Sequence, residues 1–353
     1  MELRVAIISF SDNVDHQEII YSLYRELTDK SNIYTIGIQN PKYEAQFDSH
    51  NFFVDAPKRP GFCKGTFRVR EYMKIFRIIK KLHIDTIYLE SLHVWNLPLL
   101  VFLRKVKKFH VIHDIIPHEG DRQAKILRIF NRLIGVFADY VVVHNRKYID
   151  YLSHAYKVKR SNIRFIDIYK DFGEYIPLRE TGKVLFLGRI NLYKGVEYME
   201  EIIKGCPKIS FDIVGRATEE AEKYLRGMDS YPNLNLVLDY VSNDEYYTYL
   251  KDAEVIMLPY KTATQSGVVI DAYKASRYVV AFDVGAMGEQ IEDGFSGDLI
   301  ESGNIEEFCH ALNNYFELPF EEREKKSLAA WNYGREKFSV QSNVQTWTKL
   351  MNG

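Results

Sequence analysis

The chain has 353 residues, 46% apolar and 27% charged, more than one ordinary core holds and a natural length for two α/β domains. Its three cysteines, Cys63, Cys206 and Cys309, are far apart and follow no metal spacing, which argues against a disulfide framework and makes a reducing cytoplasm the expected compartment. The formal net charge of −1 hides an asymmetry: residues 1–170 hold 28 Lys and Arg against 18 Asp and Glu, and residues 171–353 hold 19 against 30.

The opening MELRVAIISF runs straight into a strand pattern, so no leader is expected, and no apolar run approaches membrane-spanning length. The first strand is Val5–Phe10. A helix over Gln17–Asp29 follows, with Ile19, Ile20, Leu23, Tyr24 and Leu27 on one side. Ile33–Ile38 is a strand, and residues 40–65, with Pro41, Pro57, Pro60 and Gly61, read as loop. Then come a basic helix (Phe67–Lys81), a strand (Thr86–Leu89), a helix (Leu97–Val106) and a strand (His110–His113). A helix (Arg122–Phe137), a strand (Tyr140–His144), a helix (Tyr148–His154) and a strand (Ile163–Ile166) close the first half. Lys170–Gly182, with Gly173, Pro177 and Gly182, is the expected hinge.

The alternation then restarts with strand Lys183–Leu187, helix Val196–Ile203, strand Ser210–Val214, helix Glu219–Arg226 and strand Asn235–Leu238. Helix Asn243–Lys251, strand Glu254–Leu258 and two further strand–helix units follow, and Glu321–Met351 reads as helix. This order predicts two Rossmann-like α/β domains facing across a cleft, residues 1–170 and 171–330, with residues 331–353 as a terminal helix that crosses back. In open parallel sheets ligands bind beyond the carboxyl ends of the strands, so the loops there are where chemistry is sought.

Residues 184–195, VLFLGRINLYKG, place Gly188 at a strand end and put Arg189 and Lys194 on the same loop. Two cations there suit a diphosphate leaving group; a solvated surface loop is the plain alternative. Residues 254–271, EVIMLPYKTATQSGVVID, run from strand through loop into helix. Thr264, Gln265 and Ser266 add donors at the helix start and Gly267 allows close approach, which suits an anion, although ordinary capping needs only one of them.

The stretches FLGRINLYKG, FDIVG, DAEVIMLPY, TQSGVVIDAYKAS and FDVGAMGEQIEDGFSG, in that order over about residues 183–300, resemble the group 1 family of retaining glycosyltransferases with the GT-B fold, in its TQSG-type variant. The resemblance implies that Arg189 and Lys194 hold the diphosphate of a UDP- or GDP-sugar. It implies that Asp271 holds the ribose, and that the base lies near Tyr240 and Val241. The family usually carries two glutamates seven residues apart; here the second position is Asp271 and the first falls on Ala263 or Thr264. Glu289 lies in the family's Gly-rich loop, where it contacts donor or caps the next helix.

In the first half, HVIHDIIPHEG puts His113 at a strand end with His118, Asp114 and Glu119 behind it. By the same resemblance His113 lies near the reacting sugar carbon, and His118 is a candidate acceptor contact. The loop after the first strand carries Asp12, Asn13, Asp15 and His16. Asp12 is a candidate acceptor contact, and Asp15 and His16 are candidate bases; a plain capping loop is the alternative. There is no Asp-x-Asp motif and no clustered His/Cys spacing, so neither a metal nor a cofactor is expected. The basic helix TFRVREYMKIFRIIKK and the run RKVKK suit contact with an anionic membrane face and a glycan or lipid-linked acceptor, or a solvated basic surface.

Three activities remain open on these residues: sugar transfer, epimerisation or hydrolysis of a nucleotide-sugar, and binding without catalysis. An NAD dehydrogenase is disfavoured because no G-x-G-x-x-G follows the first strand, and no nucleic-acid partner is expected.

Overall fold

The computed structural model describes residues 3–40, 42–43, 47–58, 61–117 and 124–352, with the side chains of Val14 and Asp15 left aside. The contacts divide the chain into two compact units, Met1–Asp171 with Phe338–Gly353, and Phe172–Lys337.

The first unit runs β1 (Val5–Ser9), α1 (Val14–Glu26), β2 (Ile33–Gly37), β3 (Asn51–Phe53), α2 (Val69–Lys81), β4 (Thr86–Leu89), α3 (Asn96–Phe102), β5 (Lys107–Val111), α4 (Ala124–Phe137), β6 (Tyr140–Val143), α5 (Ile149–Tyr156) and β7 (Ile163–Phe165). The second holds β8 (Lys183–Leu187), α6 (Met199–Gly205), β9 (Ser210–Val214), α7 (Glu219–Leu225), β10 (Leu234–Val237), α8 (Asn243–Asp252), β11 (Val255–Leu258), α9 (Gly267–Lys274), β12 (Tyr278–Phe282), α10 (Met287–Gln290), β13 (Gly297–Ile300), α11 (Ile305–Glu317) and α12 (Phe320–Phe338). The last helix, α13 (Val340–Asn352), belongs to the first unit.

Each unit is built on one parallel sheet, in the order β3-β2-β1-β4-β5-β6-β7 and β10-β9-β8-β11-β12-β13. The central strands are buried on both faces, which is why VAIIS, VIML and YVVAF read as unbroken apolar runs rather than alternating ones. In both sheets the chain reverses its direction of winding beside the first strand, between β1 and β4 and between β8 and β11. Such a switch point opens a crevice at the carboxyl ends of the strands.

Three elements depart from the sequence reading. Residues 40–65 are not all loop, because β3 pairs with β2 and Asn51 Nδ2 donates to Thr35 Oγ1 at 2.6 Å. Three residues are too few to show a period, so only the partner strand defines this edge. The strand expected to end at His113 ends at Val111, and the Ile112 amide makes a last bond to the Val142 carbonyl before the chain leaves the sheet. The long terminal helix breaks at Ser339. There the Lys170 amide donates to the Phe338 carbonyl and the Val340 amide donates back to the Lys170 carbonyl, and Ser339 Oγ accepts from the Ser342 amide. α13 then packs on α1, and Trp347 sets its ring edge-on to Tyr88 at 5.6 Å.

The second unit is fastened by a buried charge network. Glu254, at the foot of β11, accepts from the Thr181 and Gly182 amides and from Arg323 of α12 at 2.6 Å. Arg323 also donates to Glu180. Removing the guanidinium leaves a carboxylate at zero exposure with its charge unmatched. Arg323→Ala is therefore expected to lower the urea-unfolding free energy by about 3–5 kcal/mol. Lys325→Ala, which breaks an exposed pair with Glu322, should leave the unfolding midpoint unchanged.

Candidate functional site

The carboxyl ends of β8, β9 and β10 enclose a cavity of about 520 Å³. Its floor is two glycines, Gly188 and Gly215, which end β8 and β9. Gly215 has φ +137°, and a Cβ on it would overlap the Gly188 carbonyl oxygen, so the two strand ends meet only because this residue has no side chain. Arg189 and Arg216 line the cavity, are both exposed, and form no ion pair among the described residues. Tyr240, Val241 and Tyr246 form the remainder of the wall with Thr218 and Asn243. Thr218 also caps α7, and Ser242 and Glu245 form a capping box that starts α8, so two helix starts border the space.

Beside this cavity a lysine is held in an unusual state. The loop after β8 is pinned to the loop after β11 by the Lys261 amide, which donates to the Tyr193 carbonyl at 2.8 Å. Gly195, at φ +76°, lies so close to the Pro259 carbonyl that any Cβ would collide with it. The loop is thereby pressed inward, and Lys194 is left 6% exposed. Its ammonium stands 5.1 Å from the centre of the Tyr260 ring and 5.8 Å from that of Phe186. It also lies 3.3 Å from the point where a Cβ on Gly188 would sit. No carboxylate pairs with it among the described residues. Burial, and then the positive charge of Arg189, pull its pKa from the ordinary lysine value down to about 7.

The turn at 264–267 is placed next to this pair of residues and not in the cavity wall itself. Val268, the next residue of α9, comes within 4.0 Å of the Gly188 Cβ position. The Ser266 amide donates to Gln290 Oε1 at 2.7 Å, and Gln290 Nε2 donates back to the Ser266 carbonyl. Gln290 thus holds the turn, a role with no local signal in the sequence. Thr264 and Ser266 are buried, and the buried Gln265 Oε1 accepts no hydrogen bond among the described residues. Asp271 is buried in α9, where Tyr246 Oη donates to it at 3.0 Å; the tyrosine, not the carboxylate, lines the cavity.

Arg189, Gly188, Tyr240 and Val241 therefore share one cavity, with Lys194 against its glycine floor. Arg216, Gly215, Thr218 and Tyr246 join them without having been singled out from the sequence. Glycine and arginine directly after the strand FDIV were the available signal.

In the first unit the switch point is closed by Ser9 Oγ, which donates to Ser91 Oγ at 2.8 Å. Past the strand ends lie Glu90 after β4, His113 after β5 and His144 after β6. His113 Nε2 donates to the Glu90 carbonyl at 2.8 Å and stands 3.3 Å from Glu90 Oε1. Its ring lies between those of His16 and His144, with centres 4.8 and 5.0 Å away. Burial acts to lower the His113 pKa, but the hydrogen bond and charge of Glu90 outweigh it and the net shift is upward. His144 is pulled down to about 3 by burial and then by the charge of His113. His110 is a core residue: it donates to the Val111 carbonyl, accepts from Asn96 and is held near 4 by burial. Asp12 is exposed on the loop after β1. His118 and Glu119, and the Asp15 side chain, lie outside the described residues.

Lys194 yields a signed test. Its folded pKa lies below its unfolded one, so the unfolded chain binds the extra proton and the native state is penalised as pH falls. Replacing it with methionine should raise the melting temperature of the ligand-free protein. The gain should be fully present below pH 7 and fade as pH rises toward 10.5. Each kcal/mol corresponds to about 2–4 °C in a domain of this size. An unchanged or lower melting temperature at pH 6 would show that the ammonium is not destabilising where it stands.

Residues 181–317 match the family model described as Glycosyl transferases group 1. An uncharacterized 41.2 kDa protein in the cps region of Klebsiella pneumoniae is 24% identical over 173 residues, 48% of this chain. That alignment spans about half the length of the relative, 47% of it. Among solved structures, HepE of Anabaena in complex with UDP aligns with a TM-score of 0.72 at 14% identity, covering 99% of this chain and 100% of that one. Sucrose-phosphate synthase of Thermosynechococcus elongatus gives 0.73 at 15% identity, covering 99% and 98%. At such identities the likeness establishes the fold, which is GT-B.

Proposed function

We propose that the protein, whose residues 181–317 match the group 1 glycosyltransferase model in a chain of GT-B fold, moves a sugar from a nucleotide-sugar to a glycan or lipid-linked glycan acceptor. The observation that carries this reading is Lys194, a buried cation with no partner acid, set against the glycine floor of a nucleotide-sized cavity. A diphosphate there supplies the missing negative charge, and Arg189 and Arg216 reach its outer oxygens.

In the reaction the acceptor hydroxyl attacks the anomeric carbon as the bond from that carbon to the diphosphate breaks. The charge that builds on the departing oxygen meets Lys194 and the guanidinium of Arg189, groups fixed before substrate arrives. Retention at the anomeric carbon follows the family resemblance. Tyr240 and Val241 form the wall for the base, and Tyr246, oriented by Asp271, is the nearest hydroxyl for the ribose. Uridine is the favoured base: HepE has been crystallised with UDP and with UDP-glucose. The cps-region relative favours a surface polysaccharide as product.

Calorimetry tests the donor site. Lys194 near 7 must regain its proton to meet the diphosphate, so UDP binding should take up close to one proton at pH 8 and much less at pH 6. Lys194→Met should weaken UDP binding by about 10- to 100-fold, the value of one charged hydrogen bond. Proton-neutral binding at pH 8 together with full affinity in the variant would remove the basis of the proposal. Release of UDP from a UDP-sugar should also require an acceptor, which separates transfer from epimerisation or hydrolysis.

The acceptor side is proposed to work at an anionic membrane surface on the cytoplasmic side. Among the described residues no helix is long and apolar enough to cross a membrane. Two helices of the first unit instead expose mixed faces. Phe67, in the turn just before α2, and Val69 and Met73 on that helix stand out beside Arg70, Lys74 and Arg77, and on α4 Ile126, Ile129 and Val136 stand out beside Lys125, Arg128 and Arg132. Apolar groups ringed by cations suit the headgroup region. The protein should sediment with phosphatidylglycerol vesicles and not with phosphatidylcholine, and Phe67→Ser with Ile129→Ser should abolish this at unchanged stability. Equal sedimentation of that double variant would rule the surface out.

A further inference from the structure

The first unit buries a carboxylate faced by imidazoles. Glu90 is 1% exposed, and His113 Nε2 stands 3.3 Å from its Oε1. A charge taken this far out of water is costly unless cations meet it closely. His144, 5% exposed, faces the same space from β6. Its Nδ1 donates to the Ile166 carbonyl at 2.9 Å, which leaves Nε2 as the lone-pair nitrogen, and Nε2 has no hydrogen-bond partner among the described residues. One ligand atom each of Glu90, His113 and His144 lies within 4.8 Å of the other two.

We propose that Glu90, His113 and His144 bind one divalent transition-metal ion of the zinc class, inside the first unit and apart from the nucleotide cavity of the second. Two imidazoles and one carboxylate form a donor set for zinc or its neighbours, unlike the all-oxygen shell that magnesium or calcium takes. Bonds of about 2.0–2.2 Å place tetrahedral ligands roughly 3.4 Å apart. His113 Nε2 and Glu90 Oε1 are already at 3.3 Å, and the His144 ligand atom, within 4.8 Å of both, has to close by about 1 Å or a little more on each.

The second sphere is in place as well. A ligating histidine is ordinarily oriented by its other nitrogen on a carbonyl or carboxylate, as His144 is by Ile166. His113 gives the Nε2 proton to solvent and turns from the Glu90 carbonyl to the ion. The His113 side chain, 16% exposed, is the way in. Because the three ligands follow β4, β5 and β6, the ion would tie together the carboxyl ends of three adjacent strands.

The test is a Co²⁺ titration of the full, tag-free, chelator-stripped protein, with no sugar nucleotide present. One equivalent should bind with a visible ligand-field band, be displaced by Zn²⁺ and not by Mg²⁺, and Zn²⁺ should raise the melting temperature. His144→Ala and Glu90→Gln should each weaken Co²⁺ binding by more than about 100-fold, beyond the 10–100-fold typical of second-sphere changes. The double variant Cys206→Ser, Cys309→Ser should bind as the parent does. Glu90→Gln keeps the side-chain shape and carries the test if alanine at 144 prevents folding. Absence of a stoichiometric band, its survival in Glu90→Gln, or its loss in the cysteine variant would each overturn the assignment.

Discussion

The burial of Lys194 without a matching acid is the constraint from which the second unit is best understood. A lone ammonium in a packed interior is unfavourable, and its depressed pKa measures that disfavour. The surroundings leave it no escape. Gly195 is jammed against the Pro259 carbonyl, Tyr193 is bonded to Lys261, and two aromatic rings flank the side chain. Flexible loops would let a lysine snorkel to water; here the backbone is held at both ends. Under the proposed donor role, an arriving diphosphate would meet an amine already stripped of solvent, and the proton it takes up would come with the charge.

The first unit presents the opposite polarity. At the equivalent edge of its sheet it buries a carboxylate, Glu90, faced by imidazole nitrogens. Both arrangements follow from one geometric rule. In a doubly wound parallel sheet every strand delivers its next residue to the same edge, so residues remote in sequence become neighbours there. What differs is the residue that each strand end carries: glycine and arginine after β8 and β9, glutamate and histidine after β4, β5 and β6.

This rule also explains how much was legible in advance. Alternation of apolar strands with helices is a local signal, and it identified two Rossmann-like α/β units; the GT-B expectation rested on the family resemblance of the motifs in the second half. Arg189 and Lys194 stand on one loop of eight residues after an obvious strand, so their charge and position were visible together. Arg216 and Tyr246 were not, since nothing near them indicates that β9 and α8 border the same space. Glu90 and His144 are single residues past separate strands, and only the order β4-β5-β6 brings them together. The edge strand β3 and the break at Ser339 escaped for a similar reason: each is defined by a partner far along the chain, Thr35 or Lys170, and neither break nor strand is marked by glycine or proline.

The return of α13 makes the first unit discontinuous, with the whole of Phe172–Lys337 inserted before its final helix. Trp347, almost without exposure and edge-on to Tyr88, is part of that unit's core and lies close to the end of the chain. During translation, then, the first unit emerges early but lacks a wall until the whole of Phe172–Lys337 and then α13 have been made. The second unit, contiguous in sequence, has everything it needs sooner. Vectorial synthesis should therefore complete the second unit first, although it is encoded second, and leave the amino-terminal half dependent on chaperones or on its own partial structure until α13 emerges.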